Sequence, residues 1–229
     1  MRINHIFYSI QGEGKLAGVA SVFLRTTGCN LRCVWCDTPD TSWQPVGEQM
    51  SVARIMDRLA EFPSHFAVVT GGEPMIADGI VELTRTLRDG GYHVTIETAA
   101  TVYKDVVCDL ASLSPKLANS TPWERDDGRH ADAHEKNRIN VETIRRFIAA
   151  SADYQLKFVV TDPSDLPEIE LLLSRIGDLP PENVLLMPEG VDEAGIAPKR
   201  RWIADLCKRH GYRYCPRLHL DIYGHTRGT

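Results

Sequence analysis

Short apolar, β-rich runs alternate with segments of helical periodicity along most of these 229 residues, and that alternation restricts the fold more than any other feature. The runs Ile3–Ile10, Ser21–Thr27, Phe66–Thr70, His93–Glu97, Val106–Leu110, Gln155–Val160, Val184–Met187 and Arg217–Ile222 read as strands. Between them, Ser51 is placed to cap a helix whose one face carries Val52, Ile55, Met56, Leu59 and Phe62. Ile80, Leu83, Thr84 and Leu87 repeat the pattern until Gly90-Gly91 stops it. Further helices are expected around Ile144, Phe147 and Ile148, over Leu166–Ile176 and over Ile203–Arg209. Such alternation with short connections implies the α/β class, with a mainly parallel sheet and right-handed crossovers. The chain is short for an eight-unit barrel, so an open or truncated (β/α) barrel is expected, as a single domain over residues 1–229. Ligands of these sheets gather at the carboxyl ends of the strands. Thr70-Gly71-Gly72, Glu97-Thr98, Ser114-Pro115-Lys116 and Met187-Pro188-Glu189 would project there together. Residues 122–137 break the pattern: they are polar with nearly cancelling charges, and are expected as a mobile surface insertion with His130 and His134 in solvent.

Composition excludes several function classes. Hydrophobic residues make up 43% and charged residues 25%, as in ordinary globular proteins. No apolar run approaches the roughly 18 residues of a membrane span, and Met1-Arg2-Ile3-Asn4-His5 does not open a signal peptide, so a cytoplasmic protein without membrane contact is expected. A net charge of −5 provides no basic field for nucleic acid. Cys108, Cys207 and Cys215 are scattered through apolar segments and read as small core residues.

The other three cysteines are crowded into Gly28-Cys29-Asn30-Leu31-Arg32-Cys33-Val34-Trp35-Cys36. Three thiolates so close are ligands of one metal centre. Structural zinc usually takes four protein ligands, whereas a four-iron cubane held by three leaves one iron open. A zinc site completed by a distant His or Cys is the bland alternative. Downstream, Thr70-Gly71-Gly72-Glu73-Pro74 follows a strand, and two glycines there permit unusual backbone angles and close approach of a ligand to main-chain groups. Upstream, Gln11-Gly12-Glu13 can present an amide and a carboxylate to a heterocycle bearing both donors and acceptors. Arg25 offers a planar guanidinium suited to a carboxylate. Taken alone, each of these is as readily a polar turn or a surface ion pair.

Together the spacing Cys-x3-Cys-x2-Cys, the aromatic residue before its last cysteine and the Gly-Gly-Glu-Pro segment resemble the radical S-adenosylmethionine (SAM) superfamily. With Ser9–Thr38, Glu97–Thr101, Ser114–Lys116, Leu186–Gly190 and Arg217–Gly228 added, the chain resembles the 7-carboxy-7-deazaguanine synthase family. That resemblance implies a carbon–nitrogen lyase that converts 6-carboxy-5,6,7,8-tetrahydropterin to 7-carboxy-7-deazaguanine and ammonia, a ring contraction on the route to queuosine and related deazapurines. It implies a [4Fe–4S] cluster on Cys29, Cys33 and Cys36, SAM chelated to the open iron, and a 5′-deoxyadenosyl radical that removes hydrogen from C6 of the substrate. By the same resemblance Ile10, Gln11, Gly12, Glu13, Arg25, Thr70 and His219 contact substrate. Trp35, Cys36, Asp37, Gly72, Ser114, Pro115, Lys116, Met187, Pro188, Glu189 and Gly190 form the SAM site, and Thr38 contacts Mg2+. Glu73 is expected to organise its turn. The resemblance further implies a flavodoxin-like electron donor and a homodimer. Two other readings share part of the pattern: an activase for a glycyl-radical enzyme, and a non-enzymatic metal-binding interaction module.

Overall fold

Nine strands form one sheet in the computed structural model, which describes residues 1–229. In chain order they are β1 (Arg2–Ile10), β2 (Ala20–Thr26), β3 (Glu48–Gln49), β4 (Phe66–Gly71), β5 (His93–Thr98), β6 (Leu110–Leu113), β7 (Asp153–Val160), β8 (Val184–Pro188) and β9 (Arg213–Tyr214). Their order across the sheet is β3-β1-β2-β4-β5-β6-β7-β8-β9. Every neighbouring pair from β2 to β9 is parallel, whereas β1 runs antiparallel to β2 and β3. The edge strands do not pair with each other, so the barrel is open. The helices are α1 (Pro39–Ser42), α2 (Val52–Leu59), α3 (Ile80–Asp89), α4 (Ala131–Asn137), α5 (Val141–Ala150), α6 (Leu166–Ile176), α7 (Glu193–His210) and α8 (Leu218–Tyr223). None is long and apolar enough to cross a membrane.

Side chains alternate between the faces of a strand, and here the two faces differ in chemistry. Val22, Leu24, Ala67, Val69, Val94, Ile96, Ala111, Leu113, Leu156, Phe158, Val184 and Leu186 share one face and one continuous core. Ile55 and Leu59 of α2, Leu83 and Leu87 of α3, Phe147 of α5, Ile169 of α6 and Ile203 of α7 cover it. Each large side chain buried there contributes about 1.5–3 kcal/mol of hydrophobic stabilisation. Residues of the opposite parity, including Phe23, Arg25, Thr70, Glu97, Ser114, Lys157 and Met187, face a single cavity. The apolar face therefore holds the molecule together and leaves the other face free for polar groups.

Because β1 is antiparallel, its carboxyl end, where Ile10 faces Ala20, lies at the amino-terminal mouth of the parallel strands. The residues that follow cross that mouth as a floor. The Lys15 N–H donates to Gln155 Oε1 at 2.7 Å, and Gln155 Nε2 donates to Ser112 Oγ at 2.7 Å. The Gly14 N–H donates to Cys215 Sγ at 3.1 Å. Gly14 has φ +74°, and a Cβ there would collide with the Gln155 amide, so only glycine passes. The carboxyl-terminal residues close the open side of the barrel without adding a strand. The Leu218 N–H donates to Gly12 O at 2.9 Å, Arg227 pairs with Asp40 at 3.0 Å, and Gly228 packs close to the His5 ring.

Four expectations are corrected. Arg217–Ile222 is not a strand: Pro216, which lacks an N–H, ends the two-residue ladder of β9, and the chain turns into α8. Val106–Cys108 is apolar because Val106 and Cys108 join the core beside α3, with the Val107 N–H on Thr84 Oγ1, and the strand ladder starts only at Leu110. Helix α7 begins ten residues earlier than Ile203, capped by Asp192 Oδ1 on the Gly195 N–H at 2.8 Å, and tolerates Pro198 in its second turn. Residues 122–137 carry α4, and His134 is not in solvent but buried against the cysteine loop.

The Gln155 amide is the anchor of the floor, so Gln155→Leu is expected to lower stability by about 1–3 kcal/mol, the cost of leaving a buried donor and acceptor unmatched. Urea unfolding checks this; an unchanged midpoint would show that the floor is held elsewhere.

Candidate active site

The chain leaves β2 through Gly28 (φ +101°) into the cysteine loop, and neighbouring backbone fixes that loop. Trp43 Nε1 donates to Cys33 O at 3.0 Å, the Arg32 guanidinium to Cys29 O and Leu31 O at 2.7 Å each, and the Val34 N–H to Ser120 O at 2.8 Å. The Arg32 N–H donates to His134 Nδ1 at 3.1 Å, so the other ring nitrogen carries the proton, 2.8 Å from Ser120 Oγ. Burial holds the His134 imidazole down at about 4. Cys29, Cys33 and Cys36 are free thiols on the cavity wall. Three unpaired thiols on one short loop are a donor set that fits an iron–sulfur cluster, whereas structural zinc usually takes four protein ligands. Burial pushes Cys29 up to about 11 and Cys33 up to about 12. Both are thus protonated until a cation draws the protons off, as metal binding requires. Cys36 Sγ lies 3.2 Å from Ser42 Oγ and 4.0 Å from Thr38 Oγ1.

Gly71-Gly72 lies along this loop. A Cβ on Gly72 would run into Gly28 O and Cys29, and one on Gly71 into the backbone of Thr26. The glycines are thus required first by the approach of two backbone segments, a different constraint from the ligand contact anticipated for them. Glu73 is fully buried and spends its carboxylate on its neighbours: it accepts from the Met75 N–H at 3.0 Å, Thr98 Oγ1 at 2.7 Å and the Ala99 N–H at 2.9 Å. It organises the turn. Trp35 packs against the cluster of Val159, Leu185, Met187 and Cys215 and donates from Nε1 to Asn119 O at 3.0 Å. Lys116 Nζ stands 6.0 Å from the Trp35 ring and donates to Ser114 Oγ at 2.7 Å.

The floor of the cavity carries a network of charges. Glu13 Oε2 pairs with Lys157 Nζ, and Glu13 Oε1 accepts from Arg217 Nε at 3.1 Å. Arg217 Nη2 donates to Asp37 Oδ2 at 2.6 Å. Burial alone would raise the Glu13 carboxyl, but the Lys157 and Arg217 charges overcome it and hold Glu13 well below the usual carboxylate range. Burial would likewise lower Lys157, and Glu13 instead raises it. Beside this network Glu97 accepts from Gln11 Nε2 at 3.1 Å and from Thr70 Oγ1 at 2.9 Å. Arg25 rests 5.1 Å over the Phe7 ring, which stacks on Phe23.

Ile10, Gln11, Gly12, Glu13, Arg25, Thr70 and His219 all line this one cavity, as do Trp35, Cys36, Asp37, Thr38, Gly72, Ser114, Lys116 and Met187. Pro115, Pro188 and Gly190 are buried outside its lining, and the Glu189 side chain turns away to Lys199 of α7 at 2.9 Å. Thr229 stands on the cavity wall. Sequence reasoning missed Lys157 and Arg217. Lys157 had a signal: it shares the strand parity of Gln155 and is opposite to Leu156 and Phe158. Arg217 had none, because its partners Glu13 and Asp37 lie 204 and 180 residues away.

A model described as the Radical SAM superfamily matches residues 23–162. The chain is 49% identical to the 7-carboxy-7-deazaguanine synthase of Halobacterium salinarum, over 99% of this chain and 92% of that protein. Identity to the 7-carboxy-7-deazaguanine synthase of Rhodopirellula baltica is 43%, over 99% and 88% of the respective chains. Among solved structures, QueE from Escherichia coli aligns with a TM-score of 0.70 at 24% identity, covering 93% of this chain and 92% of that one. SuiB from Streptococcus suis bound to S-adenosylmethionine aligns with a TM-score of 0.54 at 12% identity, covering 82% and 48%. Both structures share the fold.

His134 supplies a pH test of the cysteine loop. Its folded value near 4 lies below the ordinary 6.5. Between these values the unfolded chain binds a proton that the folded protein refuses, and stability falls as pH falls through that window. His134→Gln is expected to flatten this dependence by up to about 1.4 kcal/mol per pH unit. Denaturant titrations at successive pH values check the slope; an unaltered slope would mean that His134 is not held neutral.

Proposed function

The chain belongs to the 7-carboxy-7-deazaguanine synthase family of the radical SAM superfamily, and from that premise we infer how its cavity divides the work. The enzyme is a radical SAM lyase of queuosine biosynthesis, and neither a glycyl-radical activase nor a non-enzymatic metal module is favoured beside full-length relatives of this kind. We propose that it contracts 6-carboxy-5,6,7,8-tetrahydropterin to 7-carboxy-7-deazaguanine with loss of ammonia. One observation carries the assignment of residues: a single cavity is lined both by three free thiols and by Gln11, Glu13, Arg25 and Thr70.

Cys29, Cys33 and Cys36 would hold the [4Fe–4S] cluster, and Trp35, Asp37, Gly72, Ser114, Lys116 and Met187 would form the SAM site. When bound, these groups supply a one-electron reduction and the radical that abstracts hydrogen. The remaining work falls to the protein. Lys157 and Arg217 are already paired with carboxylates, and Lys116 is held by Ser114 beside Trp35 on the SAM side; Arg25, which rests on the Phe7 ring, is the guanidinium that would take the substrate carboxylate. Gln11 and Thr70, oriented through Glu97, together with Glu13 address the donor-rich aminopyrimidinone edge. Glu13 stays ionised under two cations and therefore acts as an acceptor. His219 and the Phe7–Phe23 stack complete the enclosure and exclude water from the reacting carbon. Thr38, one neutral hydroxyl, would join substrate oxygens and waters around Mg2+. A flavodoxin-like reductant, a homodimer and a cytoplasmic setting complete this reading.

Anaerobically reconstituted protein supplied with SAM, dithionite, Mg2+ and the pterin is expected to release 7-carboxy-7-deazaguanine and ammonia, followed by absorbance and mass. Absence of both products with an intact cluster would sink the proposal. Arg25→Ala is expected to raise the substrate KM by about 10- to 100-fold, the worth of one charged hydrogen bond, while uncoupled SAM cleavage stays measurable. Loss of SAM binding instead would put Arg25 on the cofactor.

A further inference from the structure

Arg217 fixes Glu13, yet it also reaches Asp37 on the cavity wall and the β8 loop behind that wall. Its Nε meets Glu13 on the floor at 3.1 Å, its Nη2 meets Asp37 directly after Cys36 at 2.6 Å, and its Nη1 donates to Gly190 O on the loop leaving β8. The residue is 7% exposed. The next two residues continue the contact with the floor: the Leu218 N–H donates to Gly12 O at 2.9 Å, and the His219 ring fills the space a Cβ on Gly12 would need. Three consecutive residues thus address Gly12 and Glu13, and Arg217 also addresses the cysteine loop.

We propose that Arg217 is the positioning residue that holds the substrate floor and the cofactor loop in one register, keeping cofactor cleavage coupled to substrate turnover. This rests on the reading of the cavity just given. A guanidinium presents five N–H donors in a rigid plane, so it can meet two carboxylates and a carbonyl from three directions at once; an ammonium is a single point charge. Glu13 and Asp37 are balanced by Lys157 and Arg217. Without Arg217, Asp37 loses its ion-pair partner and Glu13 keeps only Lys157, and the floor and the loop are no longer tied through a shared cation. Hydrogen transfer depends on a near-attack distance, and a misplacement of about 1 Å can cost about 100-fold. The floor can then bind substrate and the loop can hold its cofactor, but in the wrong relation.

The test uses Arg217→Gln and Arg217→Lys. In the cluster-free protein, hydrogen exchange of residues 12–14 and 36–38 is expected to rise together in Arg217→Gln while urea unfolding stays cooperative. In the reconstituted enzyme, 5′-deoxyadenosine released per deazaguanine formed is expected to rise about tenfold or more at full iron content. Arg217→Lys should retain the fold and remain uncoupled, so it carries the test if the glutamine variant does not fold. Adding Asp37→Asn to Arg217→Gln should produce less than the sum of the two separate effects on that ratio, because the two act through one contact. A wild-type ratio in either folded variant overturns the proposal, as does a parallel loss of both products. If the wild-type enzyme forms no deazaguanine, the assignment of the reaction fails instead, and the exchange data still judge Arg217.

Discussion

The Glu13 carboxylate, held between Lys157 and Arg217, is the ion-pair contact that joins the carboxyl-terminal segment to the floor. An open sheet leaves its two edge strands, here β3 and β9, unpaired with each other, and nothing in the ladder itself joins them. Here one backbone hydrogen bond, Leu218 to Gly12, and one ion pair, Arg217 to Glu13, bring the carboxyl-terminal segment to the floor. Buried ion pairs add little net stability once desolvation is counted, but breaking one leaves a charge without compensation. The pair therefore selects one arrangement of floor, cysteine loop and closing segment. It also keeps Glu13 ionised at a place where burial alone would protonate it.

Glu73 shows the other way of burying a carboxylate. It has no cation in contact; two backbone N–H groups and the Thr98 hydroxyl satisfy it, and burial raises it above the ordinary range. Those neutral donors come from the ends of β4 and β5, so Glu73 binds two loops into one rim and has no lone pair aimed at a ligand. The two acids divide the work by their partners: Glu73 shapes the rim, and Glu13, under charged partners, remains available to the cavity. Glu97, bonded only by Gln11 and Thr70, belongs with Glu13 on the chemical side.

The alternation of strand parity links fold to chemistry. On β7, Leu156, Phe158 and Val160 enter the core, while Gln155 anchors the floor and Lys157 meets Glu13. A shift of one residue would exchange the two sets and place a lysine in the core. The same pleat therefore enforces both the packing and the direction of the polar groups. The segment carrying α4 shows how a polar stretch can still be structural: His134, neutral and buried, takes the N–H of Arg32 and steadies the loop that bears the three cysteines.

The local pattern of the chain determined what local physics can determine. Hydrophobic period marked most of the parallel strands and their helices; the crowding of Cys29, Cys33 and Cys36 marked the loop that brings three thiols to the cavity; and Gly-Gly after a strand marked the loop beside it. Gln11, Glu13, Arg25 and Thr70 were legible as a polar set through the resemblance that joins them, although they are scattered over sixty residues. Only the tertiary structure decided which charges meet. Lys157 and Arg217 look from the sequence like an interruption in a strand and the start of another, because their partners lie far away along the chain and are brought near by the curl of the sheet. The turn of Arg217–Ile222 into a helix has the same origin: Pro216 stops the ladder, and the contacts that make α8 a closing segment come from the first strand's end.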